Sequence, residues 1–248
     1  MRKNILITGA SSGLGEGMAR LFAARGRNLA LCARRTERLE GLKDELEAAY
    51  PGITVSVKAL DVNDHDEVFK VFHEFAAEFG TVDRVIVNAG LGKGQPLGTG
   101  YFYANRQTAE TNFVGALAQC EAAMEIFRKQ NAGHLVMVSS VSAFRGLRGN
   151  INTYAATKAG VASLAEGLRS ELLGKPIKVS TIYPGYIRSE MNERVKHAPF
   201  IVDTETGCKA MVAAIEKERA KASVPFWPWA PLGVLIRNLP LSWVRKLL

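Results

Sequence analysis

Apolar runs alternate with helically spaced apolar positions from one end of the chain to the other. The runs are NILITG (4–9), NLALCA (28–33), ITVSVKAL (53–60), VDRVIVNAG (82–90), GHLVMVSS (133–140) and IKVSTIYPG (177–185). Most are continuous and rich in β-branched residues, the pattern of strands covered on both faces. Between them, segments such as EGMARLFAARG (16–26) and ERLEGLKDELEAAY (37–50) carry apolar residues at helical spacing. Repeated strand–helix alternation predicts an α/β protein, a doubly wound parallel sheet with helices on both faces. Ligands of such sheets bind outside the carboxyl ends of the strands. The informative residues are therefore expected just after each run.

Composition narrows this little. At 248 residues with no obvious linker, a single domain spanning residues 1–248 with a substantial core is expected. The cysteines, Cys32, Cys120 and Cys208, are odd in number and widely spaced. They suit neither a disulfide framework nor a zinc site, and a reducing cytoplasm is the simpler reading. The first apolar run is too short for a signal peptide and reads as a buried strand. A net charge of +8 raises nucleic acid as a partner, but no aromatic-basic alternation, zinc or helix-turn-helix signature accompanies it. The excess is uneven: from Lys209 onward seven basic residues face two glutamates. His65, His73, His134 and His197 show no metal-like spacing and read as surface or structural.

After the first run comes TGASSGLG (8–15). Its glycines permit a tight turn and close backbone approach to a phosphate, and the following helix offers free N–H groups and positive dipole to a diphosphate. That turn, NAG at 88–90, a serine-rich strand end at 139–140, YAATK at 154–158 and PG at 184–185 follow in order. Together they resemble the short-chain dehydrogenase/reductase family over residues 4 to about 190. The resemblance implies a Rossmann-type sheet of about seven strands and nicotinamide-dependent chemistry on a carbonyl or alcohol.

YAATK puts Tyr154 and Lys158 four apart, on one face of a helix. A free tyrosine titrates near pKa 10, and a neighbouring ammonium is expected to lower that value. The resemblance makes Tyr154 the proton donor to a substrate carbonyl, gives Lys158 a bond to the nicotinamide ribose, and makes Ser140 the group that polarises the carbonyl. Ser140 lies fourteen residues before Tyr154, where the family usually shows thirteen. Ser142 is a weaker candidate, and Ser139 reads as a turn or cap. Asn112, in ETNFVGALAQC, matches the family asparagine that helps hold a water linking Lys158 to solvent; the alternative is an asparagine bonded locally to backbone.

The resemblance also places cofactor contacts at Gly9, Ser11, Ser12, Gly13, Leu14 and Gly15 in the first turn. It adds Asp61 and Val62 at the adenine, Asn88, Ala89 and Gly90 at the adenine ribose, and Pro184, Gly185 and Ile187 at the nicotinamide. Asp61 equally suits a helix cap, and Ser189 stands where the family more often has threonine. After the second run, LCARRTERLE carries Arg34 and Arg35 where the adenosine ribose belongs. An acid there accepts from the 2′-hydroxyl, whereas arginine takes a 2′-phosphate bidentately and stacks on adenine. NADP (NADPH) is therefore the expected cofactor, with Arg34 the stronger candidate and Arg35 either helping or facing solvent. NADP-preferring relatives often add a basic residue to the glycine turn, where this chain has Ser12.

Residues 186–224 are expected to cover the substrate and 225–248 to form an apolar and basic tail. All three tryptophans lie in that tail, but four prolines and Arg237 interrupt it, so it is no membrane span. It covers the pocket or packs in a homodimer or homotetramer interface, or else it makes a peripheral membrane contact. Apolar segments at 91–102, 141–147 and 197–202 suit a lipophilic carbonyl or alcohol substrate. The alternative to an enzyme is a non-catalytic NADP-binding regulatory or scaffold protein, since a fold does not set a function.

Overall fold

The computed structural model describes residues 2–193 and 199–247. His197, and with it the start of the HAPFIV segment, lies outside them. Seven parallel strands form one sheet: β1 (Asn4–Thr8), β2 (Asn28–Ala33), β3 (Val55–Ala59), β4 (Arg84–Val87), β5 (Gly133–Val138), β6 (Ile177–Pro184) and β7 (Lys221–Val224). Their order is β3-β2-β1-β4-β5-β6-β7. The chain reverses its direction of winding between β1 and β4, so the loops after these two strands diverge and leave a crevice.

The strands form where the apolar runs lie because both faces are covered. On one face sit α1 (Gly13–Ala23), α2 (Thr36–Ala49) and α7 (Thr204–Glu216). They bury Met18, Phe22, Leu39, Leu46, Met211 and Ile215 against the sheet. On the other sit α3 (His65–Phe79), α5 (Gly115–Gln130) and α6 (Asn152–Glu171), with Val68, Phe72, Phe75, Phe127, Val161 and Ala165 inside. A short helix, α4 (Phe102–Ala109), runs through one π-turn, Glu110–Val114, into α5. No described helix is long and apolar enough to cross a membrane.

Two sequence expectations change here. Helix α3 is capped by Asp64, whose carboxylate accepts from the Glu67 N–H at 3.1 Å. Asp61 does not cap it; its Oδ1 instead accepts from the backbone and side-chain N–H groups of Asn63, at 3.1 and 2.9 Å. Nor is 186–224 a covering segment throughout. Residues 204–224 supply α7 and the edge strand β7, and Cys208 packs into the space left by Gly17 of α1. Of the segment's described residues, Ile187 and Ser189 to Asn192 line the cleft.

The tail folds onto the domain as α8 (Phe226–Asn238), with a non-helical Trp227, and α9 (Leu241–Leu247). Trp229 is buried over Gly185, edge-on to Tyr186 and Phe200 at 5.6 and 6.0 Å. Arg145, in the loop between β5 and α6, donates to the carbonyls of Arg237 and Leu239 at 3.1 and 3.2 Å.

The amino ends of β4, β5 and β6 hold a buried polar network. Arg84, 1% exposed, donates to His134 Nδ1 at 2.8 Å and to Glu216 at 2.7 Å. His134 Nε2 meets the Ser180 hydroxyl at 2.8 Å, and Arg27 holds the other Glu216 oxygen at 2.9 Å. Burial, with the charges of Arg84 and Arg2, holds His134 well below the usual histidine range, so it is neutral. His134 is structural, as its lack of a motif implied. Exposed His73 pairs with Glu125.

Candidate active site

The glycine turn begins where β1 ends, and the helix starts at Gly13 rather than near Glu16. Gly9 and Gly13 have φ of +65° and +57°. A Cβ on Gly15 would lie 2.3 Å from the Gly9 carbonyl oxygen, so turn and helix pack without room for a side chain. Thr8 ties this turn to the end of β4. Its hydroxyl accepts from the N–H groups of Asn88 and Ala89, both at 3.1 Å, and its carbonyl accepts from Asn88 Nδ2 at 2.9 Å. Sequence reading passed over Thr8, which looks like one more strand residue.

One open cleft gathers the expected residues from six strand ends. It is lined by the turn residues Gly9 and Ser11 to Leu14, by Arg34 and Arg35, by Asp61 and Val62, and by Asn88 to Gly90. Ser140, Tyr154, Lys158, Pro184, Gly185 and Ile187 complete its far side. Of the expected site residues, Gly15 and Asn112 stand just behind this surface.

Ser140, two residues past β5, is extended and caps a short 3-10 turn, its hydroxyl accepting from Ser142 N–H at 3.2 Å. Tyr154 and Lys158 occupy the first turns of α6. Ser139, the neighbour read as a cap, donates to the Lys158 carbonyl at 2.7 Å and fastens α6 to the end of β5. The Lys158 ammonium is buried and donates to the Val138 carbonyl at 2.9 Å. An ammonium has three donors, and this is its one hydrogen bond among the described residues. A buried cation with donors to spare beside the cleft fits a ribose hydroxyl.

The acidity of Tyr154 differs from expectation. Burial pushes the phenol up from its ordinary value; the Ser140 hydroxyl works against this and Tyr186 adds to it. Lys158 Nζ stands 5.8 Å from the ring centroid, and burial pushes that ammonium itself down to about 8. Desolvation is the largest of these influences. The protein's own groups thus keep Tyr154 protonated, the form a proton donor requires.

Two asparagines brace the loop after β4. Asn112, buried in the π-turn, donates to the Leu91 carbonyl and accepts from the Leu91 N–H, both at 2.8 Å. Asn105 treats Gln95 the same way, accepting from its N–H at 2.9 Å and donating to its carbonyl at 3.0 Å. Asn112 therefore bonds backbone, but across 21 residues rather than locally. A Cβ on Gly90 would lie 3.1 Å from Asn112 Oδ1 and 3.5 Å from Lys158 Nζ, so these two groups face one small space.

The arginines divide their work. Arg34 is 71% exposed and stands 3.7 Å from Asp61. Arg35 folds over the glycine turn, where its guanidinium bonds the hydroxyls of Ser11 and Ser12. It brings to the turn the positive charge that Ser12 does not carry. Arg35 also meets Glu190 at 3.0 Å, and Arg38 meets the other oxygen of that carboxylate. Hydrogen bonds from Arg38 and Arg35 hold the Glu190 carboxyl down to about 2. Glu190 was not singled out from sequence, because its partners lie more than 150 residues away.

Sheet order, crevice and glycine turn define a Rossmann-type fold. The short chain dehydrogenase profile matches residues 3–199, and the chain belongs to that family of oxidoreductases. An uncharacterised oxidoreductase of Mycobacterium tuberculosis is 56% identical over 245 residues, 99% of this chain and 97% of the relative. A short-chain dehydrogenase from Sphingobium yanoikuyae, solved with NADPH, superposes with a TM-score of 0.82 at 26% identity, covering 97% of both chains. One from Burkholderia phymatum, solved with NAD, gives 0.84 at 24% identity, covering 95% of this chain and 92% of the other.

Proposed function

We propose that this protein is an NADP-dependent oxidoreductase interconverting a hydrophobic ketone or aldehyde and its alcohol. The observation that carries the reading is Ser140, Tyr154 and Lys158 converging beside a glycine turn flanked by Arg34 and Arg35. The turn from Gly9 to Gly15 and the amino end of α1 would receive the diphosphate. Asp61 and Val62 would hold the adenine, Asn88 to Gly90 its ribose, and Pro184, Gly185 and Ile187 the nicotinamide ring. NADPH, when bound, supplies the hydride.

The chain's own groups then handle position and proton. Ser140 donates a hydrogen bond to the substrate oxygen and holds it toward Tyr154. Tyr154 gives that oxygen its phenolic proton as the carbon is reduced, and takes one back in the reverse direction. Lys158 uses its spare donors on the nicotinamide ribose. Asn112, both of whose amide atoms hold Leu91, keeps its second carbonyl lone pair for the space shared with Lys158, where a water can return the proton. The choice between NADP and NAD rests on the paired arginines, since the solved relatives include complexes with each.

A lipophilic substrate is supported by apolar residues of the cleft wall, among them Leu91 and Met191. Tyr101, Tyr103, Phe113 and Val114 add an exposed apolar stretch along α4 and the π-turn that favours a homodimer or homotetramer. Three free, buried cysteines suit a reducing cytoplasm. Replacing Tyr154→Phe tests the chemistry: turnover with a carbonyl panel is expected to fall by about 10²–10⁴ while NADPH binding persists. Wild-type protein inert across that panel favours the non-catalytic scaffold instead.

A further inference from the structure

Helices α8 and α9 leave a set of large apolar side chains in water. Phe226, Trp227, Val234, Leu235, Leu241 and Trp243 are each at least half exposed, Trp227 at 74%. The same helices bury Trp229, Ile236 and Val244 on their inner side, so the outer apolar residues are not needed to attach them to the domain. From Arg219 to Leu248 the sequence has five basic residues and no acid.

The two features meet in a groove along α8, over β7. It is lined by the apolar Phe226, Ala230 and Val234 and by the basic Lys217, Arg219, Lys221 and Arg237. Among the described residues, no acidic one lines it. Lys221 is paired with Glu166 at 2.9 Å, and Arg237 lies over the Phe144 ring at 4.4 Å. A lining that mixes apolar and basic side chains matches a molecule with an acyl chain and an anionic head. Exposed tryptophan beside basic residues matches the boundary where such molecules form a sheet. A second copy of this chain would bring the same positive charge to the contact and be repelled by it.

We infer that α8 and α9 dock this protein onto an anionic lipid bilayer, with the basic residues of the groove meeting lipid head groups and the exposed rings entering the interface. The docked face adjoins the cleft. Trp229 of α8 roofs Gly185, and Arg145 fastens the end of α8 to the loop that follows Ser140. A lipophilic carbonyl compound dissolved in the bilayer would be met at the mouth of the site. The inference deepens the lipophilic-substrate reading, but its test does not depend on turnover.

The test is flotation of the full-length protein with vesicles of phosphatidylcholine alone and of phosphatidylcholine with phosphatidylglycerol. Binding is expected to the anionic vesicles and to fall at high salt. Each basic residue at an anionic surface contributes roughly a fivefold gain. Reversing two, Lys217→Glu with Arg219→Glu, is therefore expected to weaken binding at least about 30-fold. Trp227→Ser with Trp243→Ser is expected to weaken it too and to abolish the blue shift of tryptophan emission on vesicle addition. All four positions are exposed, and circular dichroism checks that both variants fold. Wild-type protein that stays unbound overturns the inference, as does binding that both variants retain. A dimer in light scattering that the tryptophan variant converts to monomer, without vesicle binding, assigns the face to a second copy and overturns it as well. Vesicle binding by a catalytically inert protein leaves docking intact and removes only the proposed chemistry.

Discussion

Glu190 offers a sharp test of the cofactor assignment. Its carboxylate holds Arg35 and Arg38, and Arg35 is the guanidinium seated on the glycine turn. If that guanidinium receives a 2′-phosphate, the phosphate and Glu190 compete for it. The Arg35 pair is 3.0 Å long, with the two side chains 44% and 51% exposed. An ion pair this exposed contributes about 0.2–1 kcal/mol. The upper half of that range applies, because Ser11 and Ser12 already fix the Arg35 fork. Glu190→Gln is thus expected to tighten NADPH binding about twofold to fivefold. NADH lacks the phosphate, and its affinity should stay within error. Titrating the fluorescence of each reduced cofactor with wild-type and variant protein reads both constants. The difference should shrink as salt is raised, since the pair is exposed. Unchanged or weaker NADPH binding would refute the competition, and an equal gain for NADH would refute its link to the 2′-phosphate.

Other predictions follow from the same geometry. Arg35→Ala is expected to cost more NADPH affinity than Arg34→Ala, because Arg35 is anchored and Arg34 is 71% exposed; the reverse order in the same titration returns the main role to Arg34. Gly15→Ala drives a methyl group against the Gly9 carbonyl and should lower stability by about 1–3 kcal/mol, read by denaturant unfolding, and weaken both cofactors alike. His134 is depressed well below the usual range. The unfolded chain therefore takes up a proton below about pH 6.5 that the folded one refuses. Stability should fall as pH drops from 7 toward 5, by up to about 1.4 kcal/mol per unit from this group, and His134→Gln should flatten that slope in thermal melts.

Six of the seven strands could be read from the chain because burial on both faces demands unbroken apolar runs. The seventh, KASV in β7, could not. It is an edge strand, opens with an exposed lysine, and buries only Val224. With it went the role of α7, whose residues were assigned to the cleft. The site was legible where chemistry ties residue type to fixed spacing, as at Tyr154 and Lys158, or to a backbone shape, as at Gly9. It was illegible where function comes from distant partners. Glu190 meets Arg35 across 155 positions, and Arg84 meets Glu216 across 132. Buried Arg84 follows Asp83 at the start of a run whose apolar part, VIV, is all that sequence reading weighs. The acidity of Tyr154 was misjudged for a related reason: spacing reveals a neighbouring charge but not the dryness around it.

The paired asparagines carry one more consequence. Asn112 and Asn105 each clasp a single residue, Leu91 and Gln95, through both backbone groups, as a neighbouring strand would. Between the clasps lie only Gly92, Lys93 and Gly94. The ends of this stretch are held from outside, but its middle is not uniform. A Cβ on Gly94 would lie 2.2 Å from the Asn150 carbonyl oxygen, so of the three residues Lys93 is the one whose side chain can change without moving backbone. In the proposed reaction, Lys93 is thus the position at which to seek a change of substrate preference that spares the proposed cofactor contacts.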